Sequence, residues 1–231
     1  EGHRFTDACA ADADGNFYFT DVLGGTTINR VSPSGDVTVV AENAPRISGM
    51  QLGADGRMYA CQGGQFGRIV AFDLSAGEME VLATDVKPND LVVTHDGHIY
   101  FTETPKKQVT HIPPGGTPTA VDVTDKTGGP DRPNGIALTP DQATLSVSDS
   151  GGRSTWVWRI EPDGSLSHRQ PYITLRTRTP DSASRGDGMT TDSVGRYYVT
   201  SDMGLQMFDP TGRNPKNRRR STVVFRFKSL C

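Results

Sequence analysis

An all-β fold built from repeats is predicted by three observations. Turn signals recur at Asp14-Gly15, Asp55-Gly56, Asp96-Gly97, Asp141-Gln142 and, more loosely, Ser193-Val194-Gly195, with spacings of 41, 41, 45 and 53 residues. Short apolar or β-branched runs flank each turn, and no segment shows a helical period. Eight residues before the last residue of each turn signal stands a polar residue: Asp7, Ser48, Asn89, Asn134 and Asp187. A period of about 40 to 50 residues with several strands per repeat is the signature of propeller blades.

The elements follow in order. A first strand precedes each turn. A second follows at 16–20, 57–60, 98–102 and 196–200, since Asp-Gly between two such runs marks a hairpin. A third strand is expected at 28–31, 68–72, 109–112, 156–160 and 204–208, and a fourth at 37–41, 79–83, 119–123 and 166–172. This gives five blades, the last incomplete. Residues 1–212 form the propeller domain and residues 213–231 a basic, atypical tail, possessing the Arg218-Arg219-Arg220 run and one conceivable strand near Val223 to Phe227.

Composition narrows the function. Residues 213–231 carry seven Lys or Arg and no acid, so residues 1–212 hold 17 basic and 27 acidic residues, a net of −10. An acidic body argues against a nucleic-acid-binding face. No run of about 18 apolar residues is present, so no membrane span is expected. No leader is visible and the sequence opens abruptly at Glu1, where a leader could precede it, which leaves a cytoplasmic or an exported soluble protein open. Cys9, Cys61 and Cys231 make no disulfide framework, and Cys9 and Cys61 read as small buried residues.

A resemblance enters on specific strings. Arg132-Pro133-Asn134-Gly135-Ile136-Ala137-Leu138-Thr139-Pro140-Asp141, Pro88-Asn89-Asp90-Leu91-Val92-Val93 and Gly186-Asp187-Gly188-Met189 resemble the gluconolactonase / senescence-marker-protein (SGL) family. Phe5-Thr6-Asp7 and the run 12–21 look like its opening blade. The resemblance covers about residues 3–212 and implies a six-bladed propeller with one central divalent cation, here without a recognisable sixth blade. It implies hydrolysis of sugar-acid lactones; related propellers hydrolyse phosphotriesters. The family's metal ligands carry over to Asp7, Asn89, Asn134 and Asp187, with Asp7 where the family has Glu. Ser48 stands where many members have Asn, and Lys87 near a substrate-contacting Arg.

The chemistry of these residues is coherent. Two carboxylates and two amide carbonyls make an oxygen-only donor set suited to Ca²⁺ first, with Mg²⁺, Mn²⁺ or Zn²⁺ as alternatives. The plainer reading is that each Asp or Asn caps its own turn. Asp187 is the candidate catalytic carboxylate, able to accept a proton from attacking water. Lys87, Ser48, Gln62 and Gln65 are candidate substrate contacts. The partner expected is a small lactone, with no nucleic acid and no membrane. Different-class alternatives are an inactive or truncated propeller acting as a binding module, and a phosphotriesterase-like hydrolase at the same metal. His95 and His98 flank Asp96-Gly97 at the far end of their hairpin and are read as exposed turn residues.

Overall fold

The computed structural model describes residues 6–121 and 128–214. Five antiparallel sheets, each in simple sequence order, make the blades of a β-propeller. They fall into two compact units that part between Ala120 and Val121. In the first unit, β1 (Thr6–Ala11), β2 (Phe17–Asp21), β3 (Ile28–Val31) and β4 (Val37–Ala41) form the first blade. β5 (Ile47–Leu52), β6 (Met58–Gln62), β7 (Arg68–Asp73) and β8 (Glu78–Ala83) form the second. β9 (Leu91–Val93), β10 (Ile99–Glu103), β11 (Gln108–Ile112) and β12 (Thr119–Ala120) form the third, with one 3-10 turn at Thr104–Lys106.

In the second unit, β13 (Pro133–Leu138), β14 (Thr144–Asp149), β15 (Ser154–Ile160) and β16 (Leu166–Thr174) form the fourth blade. β17 (Met189–Thr191), β18 (Tyr197–Ser201) and β19 (Gly204–Phe208) form the fifth, three-stranded among the described residues. Among the described residues no helix is long and apolar enough to cross a membrane.

Turn chemistry explains the repeat. In each blade the residue at position 15, 56, 97, 142 or 195 donates its N–H to the carbonyl three residues earlier: Asp12, Gly53, Thr94, Thr139 and Asp192. This is a type I turn closed by a left-handed residue. Four of the five are glycines with φ between 80° and 89°; Gln142 alone carries a side chain there, at φ 56°. The first turn residue then caps the returning strand. Asp12 Oδ1 accepts from Asn16 N, Thr94 Oγ1 from His98 N and Asp192 Oδ1 from Arg196 N, at 2.9 Å each. That closure is why the second strands begin one residue later than the sequence suggests.

The same turn follows the third strand at Ser32-Pro33-Ser34-Gly35, Glu161-Pro162-Asp163-Gly164 and Asp209-Pro210-Thr211-Gly212. Gly212 N bonds Asp209 O at 2.9 Å and Asp209 N bonds Arg213 O at 2.8 Å, the arrangement that leads into a fourth strand elsewhere. The tail from 215, with its Arg run and the strand expected near Val223 to Phe227, lies outside the described residues.

Apolar residues alternate into cores between consecutive blades of a unit. Tyr18, Ile28, Ile47, Met50, Met58 and Phe72 pack between the first and second, and Tyr59, Ile69, Leu91, Ile99 and Phe101 between the second and third. Ala137, Ile173, Leu175, Met189, Val199 and Phe208 pack between the fourth and fifth. Cys61 is a free thiol, fully buried, and burial pushes its pKa up. Cys9 is buried too, in the core between the first and second blades, as the sequence reading expects. His98 also departs from expectation. It is buried, stacks with Tyr100 and His111, and its Nδ1 lies 2.8 Å from His111 Nε2. Strand pairing sets this: Tyr100 faces His111 across β10 and β11.

Candidate functional site

Asp7, Ser48, Asn89, Asn134 and Asp187 share one local structure. In each blade the first strand carries one extra residue at this point. In the first blade the register shifts between Asp7 and Cys9, in the second between Ile47 and Gly49, in the fourth between Pro133 and Ile136. In the third, Asn89 N bonds Thr102 O while Thr102 N bonds Asp90 O, both at 2.9 Å, so two residues oppose one. Asp187 and Gly188 oppose Thr200 in the same way, at 2.9 and 3.0 Å. A β-bulge bends its strand and re-aims a side chain. All five residues are partly buried.

Each bulge is held by its neighbours within its unit. Thr20 Oγ1 donates to Asp7 O and to Ile47 O, 3.0 Å each, tying the first bulge to the second. Ser48 Oγ donates to Asn89 O at 2.7 Å, tying the second to the third. In the second unit Ser148 Oγ donates to Asp187 O at 2.6 Å, tying the fourth blade to the fifth. Thr200 Oγ1 bonds Gly188 O at 2.9 Å within the fifth. Apart from Ser48, these hydroxyls were not singled out from sequence. Their signal was legible: Thr20, Thr102 and Thr200 each follow the turn glycine by five residues, and Ser148 follows Gln142 by six. Cys61 takes that place in the second blade, where Ser48 supplies the bond instead.

Two glycines let bulge stack on bulge. A Cβ on Gly49 would sit 2.7 Å from Asp90 Cα and 3.0 Å from Asn89 O. A Cβ on Gly135 would sit 2.7 Å from both Gly188 Cα and Met189 N. Only a residue without a side chain permits such an approach.

Two buried carboxylates stand behind the approach segments. Glu103, 1% exposed, accepts Lys87 N at 2.7 Å, Thr110 Oγ1 and Gln108 Nε2 at 2.6 Å, and Lys106 Nζ at 2.7 Å. Burial pushes its pKa up, but these donors outweigh it and hold the carboxyl below its ordinary value. Asp149, 3% exposed, accepts Arg132 N at 2.8 Å and Asp131 N at 3.0 Å. Each carboxylate thus fixes the backbone two residues before an Asn, Asn89 or Asn134.

The remaining candidates are placed as follows. Asp7 Oδ1 accepts the N–H of Ala8 at 3.0 Å, a local cap of the kind the plainer reading requires. Gln62 is fully buried, with its amide bonded to Pro45 O at 2.9 Å and to Arg68 Nε at 2.5 Å. Gln65 is exposed in the β6–β7 loop, and Lys87 is exposed. The first unit holds Asp7, Ser48 and Asn89, the second Asn134 and Asp187. Among the described residues no cluster of three His, Cys, Asp or Glu side chains could hold a metal; a set of two Asp and two Asn is of another kind.

Repeated bulges carrying oxygen donors on the first strands of propeller blades define a class, and the comparisons agree with it. The chain belongs to the SMP-30/Gluconolactonase/LRE-like family, whose model matches residues 5–219. It is 28% identical over 193 residues to a gluconolactonase of Zymomonas mobilis, covering 73% of this chain and 52% of that protein, so it spans about half the length of this curated relative. A gluconolactonase from Xanthomonas campestris shares the fold, with a TM-score of 0.74 and 24% identity over 92% of this chain and 75% of that one. So does the calcium-binding protein regucalcin of Agrobacterium tumefaciens, with a TM-score of 0.71 and 16% identity over 92% of this chain and 73% of that one.

Proposed function

We propose that this chain is a divalent-cation-dependent lactonase that opens sugar-acid lactones, with Asp7, Asn89, Asn134 and Asp187 as cation ligands. The observation that carries the reading is the β-bulge repeated at all five phase positions. A strand gains nothing in stability from losing a ladder bond, so five bulges at one repeat phase indicate side chains aimed for use. The donor set fits a hard cation: two carboxylates match a divalent charge, and the amide oxygens add neutral ligands. The family, and the calcium-binding relative, favour Ca²⁺. When bound, the cation would polarise the lactone carbonyl and stabilise the charge developing on its oxygen.

The protein's own groups do the rest. Asp187 accepts a proton from the attacking water at a carboxylate oxygen. Water oxygen adds to the carbonyl carbon, the ring C–O bond breaks, and the ring oxygen leaves as a hydroxyl carrying a proton. Ser148 holds the Asp187 carbonyl, and Thr200 the next one, so the carboxylate is presented from a fixed backbone. Lys87, with Ser48 and Gln65, contacts the hydroxyls of the lactone. Gln62, fully buried, ties the ends of the loop that carries Gln65 through its bond to Arg68 rather than touching substrate.

The test is Asp187→Asn, which keeps shape while removing a charge and a base. Lactone hydrolysis should fall by about 10²-fold or more, and calcium affinity measured by titration calorimetry should fall with it. Native turnover and native calcium affinity in that variant would sink the reading.

A further inference from the structure

The proposed lactone site has a second repeated feature. Two residues before four of the five phase positions stands a cation: Arg46 before Ser48, Lys87 before Asn89, Arg132 before Asn134 and Arg185 before Asp187. Residues 1–212 hold only 17 Lys or Arg, so this register is not a by-product of a basic chain. All four are exposed, and among the described residues none makes an ion pair. Arginines at the far ends of the hairpins behave differently: Arg57 pairs with Asp55 and Glu80, and Arg196 with Asp192.

In the first unit the pair is organised around one loop. The β6–β7 connection runs Gly63-Gly64-Gln65-Phe66-Gly67. Gly63 N bonds Arg46 O at 3.0 Å on one side, and Val86 N bonds Gly67 O at 3.1 Å on the other. A Cβ on Gly64 would lie 3.7 Å from Arg46 Cγ, and one on Gly67 would lie 4.0 Å from Lys87 Nζ. The two side chains therefore border the same glycine loop, one on each flank. Glu103 fixes the Lys87 backbone at 2.7 Å, so that flank is held in place. Gly64 and Gly67 leave the loop without a side chain where it faces each cation, while Gln65 and Phe66 stand between them.

We propose that Arg46 and Lys87 form an anion subsite, so that the preferred lactone carries a second anionic group, a carboxylate or a phosphate, away from the ring carbonyl. The proposal rests on the lactonase reading for its substrate but not for its binding chemistry. Two unpaired cations bordering a loop whose flanks against them are glycine attract an anionic oxygen group, and arginine adds a bidentate fork. An uncharged polyol end takes hydrogen bonds from them but no charge pairing.

Binding of the ring-opened acids tests this without relying on turnover. Gluconate, glucarate and 6-phosphogluconate are titrated calorimetrically into the full-length protein, its Arg46→Gln and Lys87→Gln variants, at 20 and 500 mM NaCl. The native protein is expected to bind the doubly charged acids about tenfold more tightly than gluconate, and to lose most of that preference at high salt. Each variant is expected to lose part of it. Glucarate and 6-phosphogluconate distinguish a carboxylate from a phosphate as the favoured group. Equal binding of all three acids, a preference that survives 500 mM salt, or a preference unchanged in both folded variants would overturn the proposal. If a variant fails to fold, the salt dependence of the native protein decides alone. An anion preference in a protein that hydrolyses no lactone would sink the lactonase reading and leave the subsite standing.

Discussion

Replacing Gly135 by Ala tests whether the stacked bulges fix the position of Asp187. The added Cβ would lie 2.7 Å from Gly188 Cα and from Met189 N, with Asp187 O closer still. That is 0.7 Å inside the 3.4 Å at which ordinary contact begins. All three neighbours are backbone, so no side chain can rotate away, and β13 must separate from β17. Overpacking of this kind costs about 1–3 kcal/mol, and a backbone obstacle belongs at the upper end. For a chain of this size about 2–3 kcal/mol lowers the melting temperature by roughly 4–12 °C.

Differential scanning calorimetry of Gly135→Ala beside Gly63→Ala reads the effect cleanly. A Cβ on Gly63 meets nothing nearer than Pro88 O at 3.6 Å, and its φ is not positive, so that variant should melt within about 1 °C of the parent. If the lactonase reading holds, Gly135→Ala should also weaken calcium binding, because Asp187 moves with its strand. A Gly135→Ala protein that melts with the parent and binds calcium equally well would refute the reasoning.

Three further outcomes follow from particular contacts. Ser148→Ala removes a fully buried hydroxyl that donates to Asp187 O at 2.6 Å, and should cost about 1–3 kcal/mol in urea unfolding; a loss under about 0.5 kcal/mol would mean that the carbonyl finds another donor. Gln142→Gly should be neutral or stabilising by up to about 1 kcal/mol, since Gln142 sits at φ 56° where the other four repeats have glycine; clear destabilisation would show that its side chain earns the strained backbone. Asp192 has its pKa depressed to about 2: burial pushes it up, but the Arg196 N–H and guanidinium, the Tyr198 hydroxyl and the Val194 N–H outweigh that. Its contribution is therefore present above the ordinary value of 3.8 and lost as pH falls toward 2, so Asp192→Asn should flatten the acid limb of the stability curve; an unchanged limb would count against the linkage.

Much of the fold was legible because the turns are chemically explicit. Asp-Gly and its relatives demand a left-handed residue at a fixed place, and strands of alternating burial must follow on either side. The starts of the second strands fell one residue early because Asn16, Arg57, His98 and Arg196 close the turn before they join the ladder. The third-to-fourth turns were missed although Ser32 to Gly35, Glu161 to Gly164 and Asp209 to Gly212 share a polar-Pro-polar-Gly spelling. His98 was misplaced because its burial depends on His111 across the sheet, a pairing that spacing along one strand does not reveal.

The candidate site was legible at the level of phase but not of mechanism. Counting back from the turns located Asp7, Ser48, Asn89, Asn134 and Asp187, since a constant offset puts residues at equivalent points of equivalent sheets. It could not show that each sits on a bulge, because a bulge is a mismatch between two strands and belongs to neither sequence alone. Nor could it show that Gly49 and Gly135 are required by contacts 41 and 53 residues further along, at Asp90 and Gly188. Those offsets equal the repeat lengths of the two blades concerned. A glycine at this phase is therefore a statement about the next blade, because it makes room for the bulge backbone there. In the fourth blade Asn134 is followed directly by Gly135, and what Gly135 accommodates is the backbone of Asp187 and Gly188 in the fifth.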